Sequence, residues 1–205
     1  MQMKNKLQKV TASIIRQLYN HGNLNKGVLA SVRHATVLSS PQAQALWPIM
    51  MAELDDDMLS RDGHPTAAEV AVYTAVRFYA IQQQGSEVLV YGPANSQVDD
   101  AEKGIPLFEA LAKLRRNEET RVALDRRMQP LLATTNVASA INALTHLVSM
   151  LKSANQQQKI DYARLAQDLY WLQQSYERAS QVRLQWGQQY YRPQDAKEKP
   201  EGKKN

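Results

Sequence analysis

The sequence predicts an all-α fold. Ala, Leu, Gln, Arg and Met, the strong helix formers, are abundant. Apolar residues recur at helical spacing along most of the chain. Eight Gly, eight Pro and two Phe in 205 residues are too few for a turn-rich β-sandwich. The arrangement expected is two small helical subdomains joined in an elongated bundle, with a disordered basic C-terminal tail. A chain of this length, 43% hydrophobic and 22% charged, can bury a real core.

The elements follow in order. Residues 1–40 hold Lys4, Lys6, Lys9, Arg16, Lys26 and Arg33 and no acid, a local balance of +6. Residues 53–62 reverse the sign, with Glu53, Asp55, Asp56, Asp57 and Asp62 against Arg61 alone. Thr66-Ala-Ala-Glu69 after Pro65 is a capping-box pattern, and Val70, Val72, Tyr73, Val76, Phe78 and Ile81 cover most faces of the helix it starts. Gln84-Gly85 stops that helix.

Residues 85–104, rich in Gly, Pro, Asn and Asp, form a long loop, and loops of that length are functional or mobile. We expect this loop to order on assembly. It separates an N-terminal helical subdomain, 1–84, from a C-terminal helical bundle, 105–192. In the latter, Leu124, Met128 and Leu131 form one stripe; Val137, Ile141, Leu144, Val148 and Leu151 form another. Leu165, Leu172, Ala179 and Trp186, seven apart, predict one last helix from Asp161 to Tyr191, about 45 Å long. Residues 193–205, PQDAKEKPEGKKN, form the disordered tail. Six or seven helices are expected in all.

Several function classes have no support. The chain has no cysteine, so disulfides, thiolate metal sites and cysteine nucleophiles are impossible. His21, His34, His64 and His146 never fall at i, i+3 or i+4. Asp55-Asp56-Asp57 with Asp62 and His64 could suggest Mg²⁺, but consecutive helical residues point in different directions; a solvated helix end, or a dock for a basic surface, explains the run. Phosphate-binding glycine loops and nucleophile elbows are missing. We therefore expect no enzyme, no cofactor, no metal and no small-molecule substrate. No apolar run is long enough to span a membrane, and Met1 to Val10 lacks the apolar core of a secretory signal. A cytoplasmic protein is expected.

Net charge +5 and pI near 9.4 lean toward a polyanionic partner. Lys113, Arg115 and Arg116 close one helix, and Arg121, Arg126 and Arg127 lie on the next. Arg121 and Arg127 flank the Leu124/Met128 stripe, where their stems can pack while the guanidinium groups reach outward. Alternatively, Arg121 pairs with Glu118 or Asp125 on its own helix. Arg183 interrupts an apolar pattern, so it either pairs with a carboxylate or meets a phosphate. Arg77, alone on an apolar helix, is read as paired in the core. Trp186, Tyr190 and Tyr191 are stacking platforms or, as aromatics at helical spacing usually are, core.

Three blocks together resemble a known family. They are Lys26-Gly-Val-Leu-Ala-Ser-Val-Arg-His-Ala35; Gly104-Ile-Pro-Leu-Phe-Glu-Ala-Leu-Ala112 with Arg121 and Leu131-Leu132; and Asp161-Tyr-Ala-Arg-Leu165, Asp168-Leu169, Trp171, Val182-Arg183-Leu-Gln-Trp186 and Tyr190-Tyr191-Arg192. In order and spacing, over residues 26 to 192, they resemble the CasB family, the small subunit of the type I-E CRISPR surveillance complex, Cascade. The resemblance implies an all-helical, non-catalytic protein of antiviral defence, packed with other Cascade subunits and a second copy of itself. It also implies contact with crRNA and target DNA, and a basic surface that holds the displaced non-target strand of the R-loop.

Arg33 matches the first arginine of the family's early pair. His34 stands where the second would be, an imidazole in place of a permanently charged guanidinium. Arg121 and Arg183 match further basic positions, Lys26 opens the first block, and Arg115, Arg116, Arg126 and Arg127 match by region. The nucleic-acid-binding set expected is therefore Lys26, Arg33, His34, Arg115, Arg116, Arg121, Arg126, Arg127 and Arg183. A helical protein–protein adaptor without nucleic-acid contact is the alternative, and a small hydrolase trails for want of reactive groups.

Overall fold

The computed structural model describes residues 2–94, 97 and 99–192. Its helices are α1 (Gln2–Tyr19), α2 (Lys26–His34), α3 (Trp47–Glu53), α4 (Ala67–Gln83), α5 (Leu107–Leu114), α6 (Glu118–Ala133), α7 (Val137–Ala154), α8 (Tyr162–Leu172) and α9 (Tyr176–Tyr191). No strand occurs among the described residues, only isolated bridges. The class is all-α, as the sequence predicts. The tail expected at 193–205 lies outside the described residues.

Helix α4 is the axis of the molecule, packed by α1, α2, α7 and α8. Its apolar residues point in every direction, and nearly every side chain from Ala68 to Gln83 is buried. Its capping box forms: Thr66 Oγ1 accepts from the Glu69 amide at 3.1 Å, and Glu69 Oε2 accepts from the Thr66 amide at 2.7 Å. Helices before and after the long loop share one buried cluster, in which Ile14, Val32, Phe78, Leu144, Leu169 and Trp186 all take part.

The loop is pinned at both ends. Ile160 lies between its two arms: the Ile160 amide donates to Val90 O at 2.9 Å, and the Asp161 amide donates to Ile105 O at 3.0 Å. Where the arms meet, Gly92 and Gly104 bring their backbones together. A Cβ on Gly104 would stand 2.0 Å from Gly92 O, so both positions need glycine for closeness of approach.

The described residues contain nine α-helices where six or seven are expected. One cause is that the last helix is two. The chain leaves α8 through Gln173 and Gln174, whose amides bond back to Tyr170 O and Trp171 O at 3.1 and 3.2 Å. Ser175 then caps α9, its Oγ accepting from the Arg178 amide at 3.3 Å. The seven-residue periodicity persists because both helices bury a face in one core, which hides the break. The acidic run also has a partner: Lys6 on α1 meets Asp55 at 2.9 Å and Asp57 at 3.1 Å. Those two carboxylates therefore pair within the chain instead of being merely solvated.

Candidate nucleic-acid interface

Two basic regions emerge from the helices. In the first, Asn25 caps α2, its Oδ1 accepting from the Val28 amide at 3.2 Å. Lys26 and His34 are exposed at the two ends of that helix, and Arg33 is half-buried in its last turn. The buried Tyr73 hydroxyl donates to Ala35 O at 2.9 Å and ties this end of α2 to α4. Burial lowers the pKa of Arg33, whose charge has left part of its hydration behind.

The second region is the turn between α5 and α6 and the outer face of α6. Asn117 caps α6, accepting from the Glu119 amide at 2.9 Å. Arg116, Arg121, Arg126 and Arg127 are exposed. Arg121 forms the expected pair with Glu118, N to O at 3.7 Å between exposed groups, a loose contact contributing little in water. Arg127 Nη1 donates to Ala123 O one turn back at 3.1 Å. Leu124, Met128 and Leu131 are buried as the stripe predicts, which is why these arginines face out.

Arg115 differs from its neighbours. Its Nε and Nη2 donate to Asp125 Oδ1 and Oδ2 at 2.8 and 3.1 Å. Its guanidinium carbon also stands 5.5 and 5.2 Å from the Tyr190 and Tyr191 ring centroids. Asp125 Oδ1 accepts from the Tyr190 hydroxyl at 2.8 Å as well. The structure thus puts this guanidinium to work joining α5, α6 and α9.

Among the described residues Arg183 has no carboxylate partner. Nη1 donates to Thr134 O at 3.3 Å, at the end of α6, and Nη2 to Ser180 Oγ at 3.1 Å. Arg77 has no carboxylate partner among the described residues either. It is 6% exposed, and its Nη1 donates to Thr145 Oγ1 on α7 at 3.0 Å. Its Nε is buried without an acceptor. Of the aromatics, Trp186 and Tyr190 are core, and Tyr191 is exposed. Lys152 on α7, absent from the sequence-based set, is a further cation close to Arg33. Burial first, and Arg33 second, lowers its pKa. The only signal for it in the sequence is that α7 carries no acid.

Among the described residues there is no cluster of His, Asp and Glu fit to hold a metal, and no helix long and apolar enough to cross a membrane. No curated protein matches the chain. Among solved structures, CasB from Thermobifida fusca is 21% identical, covering 93% of this chain and 98% of that one with a TM-score of 0.65; at that identity the likeness shows the fold. A family model for CRISPR-associated protein Cse2 matches residues 28–191. The chain belongs to the Cse2 family. With that membership it is a subunit of a Cascade complex, in CRISPR defence.

The blocks that carry the family likeness meet inside the fold. Phe108 of the second block stacks on Trp186 of the third at 4.6 Å between centroids. Trp186 Nε1 donates to Asp168 Oδ2 at 2.9 Å, and Gly104 closes the loop on Gly92. Much of what marks a Cse2 chain in this sequence is therefore packing, and its arginines stand around that frame.

Proposed function

We propose that this Cse2 subunit is non-catalytic and holds nucleic acid by its backbone, steadying the crRNA–target duplex and the displaced strand of the R-loop. The observation that carries this reading is the outer face of α6, where Arg121, Arg126 and Arg127 are exposed. Among the described residues only Arg121 of these three has an ion-pair partner, at 3.7 Å. Cations left toward solvent on a helix anchored by a buried stripe suit phosphate contact, which needs charge and no base-reading geometry. R-loop formation is a nearly balanced exchange, so a few such contacts can tip it. Lys26, Arg33 and His34 on α2, Arg116 beside α6 and Arg183 at its end complete the surface. Arg115 supports it from beneath.

Exposed Val122, Tyr176 and Leu184, each more than 60% exposed, suit contact with other Cascade subunits or a second copy, and a cytoplasmic setting follows from that company. The test is a salt series on a labelled single strand beside a duplex control, using the wild-type chain and an R33A/R121A/R126A/R127A variant. Salt-dependent binding that disappears in the variant supports the reading. Binding that is absent, or indifferent to salt, puts a purely protein–protein adaptor in its place.

A further inference from the structure

A groove runs between α1 and the first arm of the long loop. It consists of two hollows of about 360 and 330 Å³, which share Arg16, Tyr91 and Pro93 as a common wall. Tyr19 and Lys159 extend the first hollow, and Lys9, Ala12 and Asp161 extend the second. On α1, Lys9, Ala12, Arg16 and Tyr19 fall at i, i+3, i+7 and i+10, a single stripe. At a rise of about 1.5 Å per residue that stripe is about 15 Å long. An extended chain rises about 3.3 Å per residue, so the groove has room for about five residues of a peptide.

The polar groups of the groove are left open. Tyr91 is only 3% exposed, yet its hydroxyl has no hydrogen-bond partner among the described residues. Burial first, and the Asp161 charge second, push its pKa up to about 12. It therefore keeps its proton through the neutral range and is able to donate. Arg16 stands over the Tyr91 ring, its guanidinium carbon 5.9 Å from the centroid. Lys9 and Arg16 are both exposed. Among the described residues neither has an ion-pair partner. The Asp161 carboxylate in the wall is already occupied, accepting from the Ala94 amide at 2.8 Å and the Arg164 amide at 2.9 Å.

Two open cations and a phenol donor suit incoming carboxylates. The rest of the lining favours a peptide over a phosphate chain. Tyr91, Pro93 and Ala12 offer apolar surface for a side chain, which a phosphate backbone does not use. Asp161 and Glu102 add negative charge to the walls, and like charge disfavours a phosphate chain laid against them.

We propose that this groove docks an extended acidic segment of a partner protein, with an apolar side chain against Tyr91 and Pro93 and flanking carboxylates on Arg16 and Lys9. It is independent of the nucleic-acid reading, which stands or falls by α6. The test is anisotropy of a labelled Glu-Leu-Glu-Leu-Glu peptide with the full chain, beside its Gln-Leu-Gln-Leu-Gln counterpart and a labelled single strand. R16Q and K9Q each remove one exposed cation without opening the core, and R126Q/R127Q on α6 is the control.

The acidic peptide is expected to bind in preference to the neutral one. R16Q and K9Q should each weaken it about threefold, the scale of a partly exposed ion pair, and R126Q/R127Q should leave it unchanged. Bound peptide should protect Lys9 from acylation and leave Lys113 reactive. An acidic peptide bound no better than the neutral one, or bound as tightly by R16Q and K9Q as by wild type, overturns the groove. R16Q that weakens the single strand and not the peptide overturns the peptide in favour of nucleic acid. Protection of Lys9 by free glutamate as complete as by the peptide overturns it in favour of a small carboxylate.

Discussion

Arg115 grips Asp125 at two points, Nε to Oδ1 at 2.8 Å and Nη2 to Oδ2 at 3.1 Å, with both side chains about two-thirds or more buried. Such a forked contact fixes direction as well as distance. It joins the end of α5 to the middle of α6, and Tyr190 brings in α9 through the same carboxylate. R115A should therefore cost about 1.5–3 kcal/mol of stability, the range for a hydrogen-bonded charge. Urea denaturation of R115A, D125N and the double variant measures the coupling. Strand binding by folded R115A should match wild type; a weaker affinity would return this arginine to the binding surface.

The same pair sets an acid limit. The hydrogen bond from Arg115, then that from Tyr190, holds Asp125 below the ordinary carboxylate range. In the unfolded chain an aspartate titrates near ~3.9. Around that pH the unfolded state binds more protons, so stability rises with pH there. The contribution of Asp125 is thus complete above the unfolded value and is lost as pH falls through the lower folded one. The stability gap between wild type and D125N should stay level from about pH 5 to 8 and close below about pH 4. A gap that persists unchanged into acid contradicts the assignment.

Gly104 and Gly92 make a sharper structural test. A methyl group on Gly92 would stand 2.3 Å from Glu102 O, and one on Gly104 would stand 2.0 Å from Gly92 O. Both obstacles are backbone, so no side chain can swing aside. G104A is expected to cost at least the upper part of the ~1–3 kcal/mol range for overpacking and to part the two arms of the loop. Faster proteolytic cleavage between residues 92 and 104, with the helices left intact, is the expected readout. G27A is the comparison, because a Cβ there meets nothing within 4 Å.

Helices are legible where the local pattern and the tertiary fold agree. Thr66 and Glu69 announce the start of α4, and Leu124, Met128 and Leu131 mark the buried face of α6. The break before Ser175 is not legible, because α8 and α9 keep an apolar repeat in phase across it. Exposure of Arg126 follows from the same stripe that buries Leu124. The partner of Arg115 does not: Asp125 is ten residues away on another helix, and only the α5–α6 turn brings them together. Lys152 escapes sequence reasoning for the same reason, since its neighbour Arg33 is more than a hundred residues earlier. Sequence spacing speaks within a helix, and these contacts lie between helices.

Binding through α6 should be indifferent to base sequence. The exposed groups there are guanidinium ends on one helix face, with Arg127 already bonded to Ala123 O and Arg121 near Glu118. Reading a base edge demands a fixed bidentate geometry, whereas phosphate contact tolerates mobile charges. R121A and R126A should each weaken binding to homopolymeric and mixed single strands by the same factor. Each should also flatten the log–log salt slope by about 0.7 for every phosphate left without its cation. Anisotropy titrations over several sequences and salt concentrations measure both quantities. A weakening confined to one sequence would mean that α6 reads bases, because counterion release carries no sequence information.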